Sequence, residues 1–249
     1  LMERGEIIDF FHRGLYKAIH SLYLKDDKDK KAYHLRLARY FEKKELNPRK
    51  IDELPWQLAQ AKAWQGLYGL LSNLPFFEAA WRANKFEVKE YWVQVEDNAP
   101  FRMVEAYRGV LNMPSGHHND QIWLLATLLD DTGHPAESMS LREYLVERYR
   151  QDNDLNNLQG ALGNQAGILY VQGDLEGAMK LHKEKERICK ELGNKDGLQN
   201  SLCGQANILY VQGDLEGAMK LYKEQDRICK EVGNKEGMQA SLCGQANLL

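Results

Sequence analysis

In the second half of the chain, apolar residues return every three or four positions, the spacing of one face of an α-helix. Leu175, Ala178, Met179, Leu181, Ile188, Cys189 and Leu192 trace one such stripe, which predicts a helix over 175–192. A first helix is predicted over about 158–171 and stops at Gly173, a residue suited to the left-handed position that ends helices. Asp174 then suits an N-cap, its carboxylate accepting free backbone N–H groups, and Glu176 favours the positive end of the same helix. Gly193-Asn194 closes the second helix. The pattern predicts a helical hairpin.

That hairpin recurs. Residues 160–199 and 200–239 are identical at 29 of 40 positions without a gap, and 168–181 reads the same as 208–221. Self-similarity at a fixed period of this size is the mark of a stacked repeat architecture. A further copy starts at Ala240 and stops at Leu249. Shifting back by one period places Trp123, Ala126, Leu129 and Gly133 on Gly163, Ala166, Leu169 and Gly173. There His134-Pro135 fills the N-terminal slot of the second helix, with Pro at the first helical position. The array is therefore expected over 119–249: a degenerate repeat at 119–157, repeats at 158–197 and 198–237, and a truncated one at 238–249.

Residues 1–118 show no such echo and are rich in Trp and Phe. An amphipathic helix is predicted over 10–24, then a charge run from Lys25 to Lys31 and a second helix over 32–43. Asn47-Pro48-Arg49-Lys50 reads as a break. Further helices are predicted over 52–61, 63–71, 75–83 (opened by Pro75), 86–95 and 101–111, before a loop over 114–120. The fold class expected is all-α, a helical-repeat superhelix preceded by an irregular α-helical connector.

Composition narrows the function classes. The net charge of -3 supplies no basic stripe for phosphates, which speaks against nucleic acid as a partner. No stretch reaches the roughly 18 apolar residues of a membrane span, and the first residues lack the basic and apolar regions of a secretory signal. A cytoplasmic location is the expectation. Leu1 precedes Met2 and the last hairpin stops halfway, so the chain reads as part of a longer protein.

Candidate chemistry is thin. Cys189, Cys203, Cys229 and Cys243 are two repeat positions, each occurring twice, and lack the close pairing of a zinc site; they read as thiols in helix packing. His117, His118 and Asp120 lie on a Gly/Pro loop and read as solvated. His12, His20 and His34 fall at helical spacings among aromatics, as packing residues do. Trp56, Trp64, Trp81 and Trp92 read as core anchors between short helices. The interspersed charges of the second helix, such as Glu186 and Lys190, read as a solvated outer face with pairing four residues apart. No Ser-His-Asp or Cys-His grouping and no phosphate-binding P-loop is present. No catalytic residue, cofactor or metal is expected.

The small residues Ala166 and Ala206 in the first helix, and Ala178 and Ala218 early in the second, resemble the packing positions of tetratricopeptide (TPR) repeats. The 40-residue period, with "LGNQ" and "ERICKELGNKDG", is most similar to the extended repeats of Pins-type polarity adaptors and kinesin light chains. Gln165 and His182/Tyr222 depart from the family pattern. "FFHRGLYKAIHSLYL", "HLRLARYFEKK" and "IDELPWQLAQAKAWQGLYGLLSNLPFFEAAW" resemble the segment between the NTPase and the repeats in nephrocystin-3-like STAND signalling ATPases. On that resemblance 1–45 corresponds to the end of a winged-helix region and 46–118 to the connector.

The TPR resemblance implies that first helices line a concave groove that holds a protein or peptide. The two good copies differ at 11 of 40 positions, and five of these lie in the first helix: Gly160/Asn200, Ala161/Ser201, Gly163/Cys203, Asn164/Gly204 and Gly167/Asn207. Tuning of a lining and drift at tolerant small-residue positions both account for this. The candidate groove residues are Asn164, Gly167, Tyr170, Asn200, Cys203, Asn207 and Tyr210, amides for a peptide backbone and tyrosines as amphipathic walls. Replacing Asn207 and Tyr210 by Ala is expected to weaken partner binding with little loss of stability. The uncapped last repeat offers a route to self-association. The function expected is the ligand-sensing end of a STAND-type protein; the alternative is a free-standing adaptor tethering two partners.

Overall fold

Asp26 caps the first helix described, its carboxylate accepting the Asp29 N–H at 2.8 Å. The structure is a computed structural model and describes residues 2–4, 7–9 and 26–248. The helix predicted over 10–24, with His12 and His20, lies outside the described residues. Ahead of it, β1 (Met2–Arg4) and β2 (Ile7–Asp9) pair antiparallel, with Met2 opposite Asp9. The hydrophobic pattern gave no sign of this three-residue pairing. The chain forms two compact units, Leu1–Gly109 and Val110–Leu249.

In the first unit, α1 (Asp27–Glu42) is followed by α2 (Pro48–Gln60), α3 (Trp64–Leu71), α4 (Leu74–Asn98) and α5 (Met103–Ala106). The short α6 (Arg108–Asn112) spans the division between the units. The expected break at 47–50 is instead a helix start. Asn47 Oδ1 accepts the Lys50 N–H at 2.9 Å, and Pro48, whose missing N–H costs nothing in the first turn, begins α2. α4 joins the two predicted helices 75–83 and 86–95 across extended backbone at Asn84. The Asn84 Oδ1 accepts from Phe86 N at 3.1 Å, recapping the chain as it turns helical again. Trp81 and Trp92 are buried in this core beside Phe77 and Tyr107, and the Tyr107 hydroxyl donates to the Leu71 carbonyl at 2.8 Å. Trp56 departs from the anchor expectation: it is 46% exposed.

The second unit contains α7 (Asn119–Asp131), α8 (Pro135–Gln151), α9 (Leu155–Gln172), α10 (Leu175–Leu192), α11 (Lys195–Val211), α12 (Leu215–Val232) and α13 (Lys235–Ala246). Capping is repetitive. Asp174, Asn194, Asp214 and Asn234 each accept a backbone N–H three residues on at 2.9 Å. Asp154 does the same for Asn157 at 3.1 Å, so α9 starts three residues before the predicted 158. Gly173 (φ +86) and Gly213 (φ +84) end first helices in the left-handed region that residues with a Cβ enter at a cost.

Each hairpin packs its two helices together and then stacks on the next, with α9, α11 and α13 also touching in succession. The latter contacts put first helices on the inner side of the stack. Cys189 and Cys229 are buried between hairpins: a methyl on Gly197 would lie 2.6 Å from Cys189 Sγ, and one on Gly237 2.5 Å from Cys229 Sγ. Outside, Lys190 pairs with Glu186 and Lys230 with Asp226 four residues apart, while Arg150 of α8 grips Glu184 of α10 with two contacts of 2.8–2.9 Å. Ala206 is fully buried against Ala218 and Tyr222. Ala206→Leu adds three carbons to this closed space and is expected to cost about 1–3 kcal/mol. Urea unfolding followed by circular dichroism checks it; an unchanged midpoint contradicts close packing there.

Candidate partner-binding groove

The inner stripe runs Asn164, Gly167, Tyr170 on α9 and Asn200, Cys203, Asn207, Tyr210 on α11, at intervals of three and four residues that keep one helix face. Asn164, Gly167 and Asn200 are exposed, Tyr170, Cys203 and Asn207 are half-buried, and Tyr210 is 43% exposed. Four of these gather around one residue from a second helix. Tyr222 of α12 is buried, and its hydroxyl donates to Asn207 Oδ1 at 2.6 Å. Burial raises the Tyr222 pKa, and Cys203, Tyr170 and Tyr210 nearby add to that. Asn164 and Asn200 are not part of this gathering; Asn200 Oδ1 accepts from Gln199 at 2.9 Å.

Tyr222 occupies a slot that every hairpin fills differently. One period back stands His182 and another back Arg142, both buried. Arg142 Nε donates to Asp130 at 3.1 Å and to Ser138 Oγ at 3.2 Å, and its guanidinium lies 5.7 Å from the Trp123 ring centre. His182 lies against Gly204, where any Cβ would collide with the imidazole, and Tyr222 lies against Gly244 in the same way. Burial, then the charge of Lys185, pulls the His182 pKa down to about 4. Its Nδ1 has no hydrogen-bond partner among the described residues. His182 and Tyr222, at one of the positions that depart from the family pattern, are thus the wedges between successive hairpins.

No protein-family model matches the chain. A TPR repeat-containing protein of Dictyostelium discoideum is 33% identical over 186 residues, which is 66% of this chain and 11% of that protein. The chain thus spans about a ninth of that relative's length. The capped 40-residue hairpins and their small buried alanines decide the architecture. The array is a TPR-type solenoid. Among solved structures, it is similar to a Podosopora anserina protein described as a kinesin light chain with nearly identical TPR-like repeats. A variant of that protein has a TM-score of 0.49 at 16% identity, covering 82% of this chain and 96% of that one. The unmodified form has 0.48 at 17%, covering 84% and 99%.

The TPR geometry gives three of the five first-helix differences a partner inside the protein. Where α9 has Gly163, the long Lys185 fills the space, and a methyl on that glycine would lie 2.6 Å from Lys185 Nζ. Where α11 has the larger Cys203, the shorter Gln225 replaces the lysine, and its amide reaches the Cys203 thiol. Likewise Gly167 goes with His182, and Asn207 with the Tyr222 hydroxyl it binds. Ser201, which replaces Ala161, donates to the His182 carbonyl at 2.5 Å. Gln205, at the position where TPR repeats usually carry an apolar residue, is buried and donates to Glu186 at 2.6 Å. Burial alone would raise Glu186, but hydrogen bonds from Gln205 and Lys190 outweigh it and hold the carboxyl low. Asn207 is therefore a poor choice for a groove test: truncating it strands the Tyr222 hydroxyl, at about 1 kcal/mol or more. Asn164 and Tyr210 carry no such penalty, whereas Asn200 accepts from the amide of the buried Gln199.

Proposed function

We propose that this TPR array is a non-enzymatic scaffold that holds an extended protein or peptide segment along the inner face of α9 and α11, the ligand-sensing part of a STAND-type signalling protein. The observation that carries the scaffold reading is the run of exposed side chains Asn164, Asn200 and Tyr210 along α9 and α11. Free amides pair with a partner's backbone, and tyrosines give contact area at low entropic cost. The sensing role is supported by the sequence resemblance of the first unit to the STAND connector. The relative's much greater length, with 11% of it matched, also accords with a segment that works within a larger chain. Among the described residues no helix is long and apolar enough to cross a membrane.

The test uses the chain to capture a partner, identifies it by mass spectrometry, and measures its affinity by calorimetry. The double variant N164A/Y210A is expected to bind at least about tenfold more weakly, a loss of about 1.4 kcal/mol, with an unchanged urea midpoint. Equal affinity of variant and parent refutes the groove. For the sensing role, a P-loop module encoded in frame upstream is expected, and partner binding is expected to change its ATP hydrolysis. An upstream frame without that module rejects the sensor and leaves the scaffold standing.

A further inference from the structure

The first unit holds a feature the groove does not use. Two helical stripes face each other across an open cleft of about 490 Å³: Asp52, Glu53, Trp56 and Gln60 on α2, and Glu87, Glu90, Tyr91 and Gln94 on the second half of α4. Residues three, four and seven apart share a helix face, so α4 brings two carboxylates and a phenol to one wall. No Lys, Arg or His among the described residues pairs with Asp52, Glu53, Glu87 or Glu90. The hydrogen bonds three of them accept come from neutral amides: Gln57 at 2.9 Å, Asn84 at 3.0 Å and Gln94 at 3.1 Å. Each carboxylate keeps lone pairs to spare.

Two further observations point to a ligand. Tyr91 is only 8% exposed, it lines the cleft, and its hydroxyl makes no hydrogen bond among the described residues. Burial, then Glu87, Glu90 and Asp52, pushes its pKa up to about 12, so the group stays a neutral donor and acceptor amid negative charge. Trp56 stands 46% exposed at the rim, held edge-on by His34 with ring centres 5.3 Å apart. His34 is itself fixed through Nδ1 to Gln57 Oε1 at 2.7 Å. An indole face beside unpaired carboxylates is suited to an organic cation. A metal ion fits less well, since among the described residues no three His, Cys, Asp or Glu converge closely enough to hold one.

We infer that this cleft is a second docking site, one that takes an arginine- or lysine-bearing peptide segment of a partner protein. The cationic side chain lies on Trp56 with its head among Asp52, Glu87 and Glu90, and the Tyr91 hydroxyl accepts one of its N–H groups. Charge complementarity sets the class of occupant: an acidic peptide or a nucleic acid meets the same carboxylates and is repelled.

The test follows fluorescence anisotropy of a fluorescein-labelled hexa-arginine peptide on the full chain at low ionic strength. Binding is expected to weaken steeply with added salt, as exposed charges are screened. E87Q/E90Q removes charge at exposed positions and is expected to lower affinity at least about tenfold, and W56A at least about threefold. E143Q/E191Q removes the same charge from exposed positions of the second unit and is expected to change nothing. Equal losses from the two double variants, or no loss with W56A, reduce the effect to net charge and overturn the proposal. Displacement of the peptide by micromolar calcium makes the cleft a metal site and also overturns it. So does self-association of the chain that E87Q/E90Q abolishes, since the occupant is then a second copy.

Discussion

Asp130→Ala is expected to cost about 3 kcal/mol, the largest single effect at a polar position of the array. Its carboxylate receives both Nε and Nη2 of Arg142, whose side chain is 3% exposed while that of Asp130 is 26% exposed. Taking away the partner leaves a guanidinium in the protein interior with one nitrogen, Nη1, already lacking a hydrogen bond. Breaking a buried pair from one side costs about 3–5 kcal/mol, and the partial exposure of Asp130 places this case at the low end. The reverse change should be much milder. Arg142→Leu leaves a carboxylate that turns to water, and an aliphatic chain still covers Trp123, so a loss of about 1 kcal/mol is expected. Urea unfolding of both variants and of D130A/R142L checks the asymmetry. If D130A costs no more than R142L, the pair contributes as a surface bridge would.

Acid is expected to weaken the array through His182, by up to about 3 kcal/mol between pH 6.5 and 4. The sign follows from the depressed value. The folded protein holds the imidazole neutral down to about pH 4, whereas the unfolded chain takes a proton near the ordinary value of 6.5. The unfolded state therefore binds more protons in that window. The contribution is complete above pH 6.5 and disappears as pH falls through the folded value. The next hairpin shows how to remove it. His182→Tyr with Gly167→Asn copies the Tyr222–Asn207 bond of 2.6 Å, and Gly204 supplies the bare backbone that Gly244 gives to Tyr222. The double variant is expected to flatten the stability difference between pH 7 and pH 5. The two changes are expected to couple by about 0.5–1.5 kcal/mol in a double-mutant cycle. An unchanged acid dependence rules out His182 as its source.

Together these effects divide residues of the repeats into two classes. His182 and Tyr222 set how one hairpin seats on the next, and Asn207 follows the Tyr222 wedge. On the proposed function, Asn164 and Tyr210 are the residues left to meet a partner. A change at the wedge alters the stack, and a change at the free stripe alters only the contact surface, so the two classes are separable by comparing stability with affinity.

The sequence alone determined what depends on near neighbours. Helical period, the cap Asp174, the helix-ending Gly173 and Gly193 and the 40-residue repeat follow from spacings of a few residues or from direct self-comparison. They therefore named the hairpins, while the inner stripe rested on the TPR resemblance. Where a local signal had two readings, the chain's context chose: Asn47-Pro48 looked like a break and is a cap, and Asp154 starts α9 a turn before the apolar stripe becomes evident. Only the tertiary structure decided what depends on distant partners. Lys185 filling the space over Gly163, Gly204 yielding to His182, and the Tyr222–Asn207 bond each join residues 15 to 22 apart on different helices. The cleft joins Trp56 to Glu87, Glu90 and Tyr91 across two intervening helix ends. Periodicity tells which face of a helix is apolar. It does not tell which side chain the opposite helix presents, because that choice is made by volume and hydrogen-bond matching once the helices have packed.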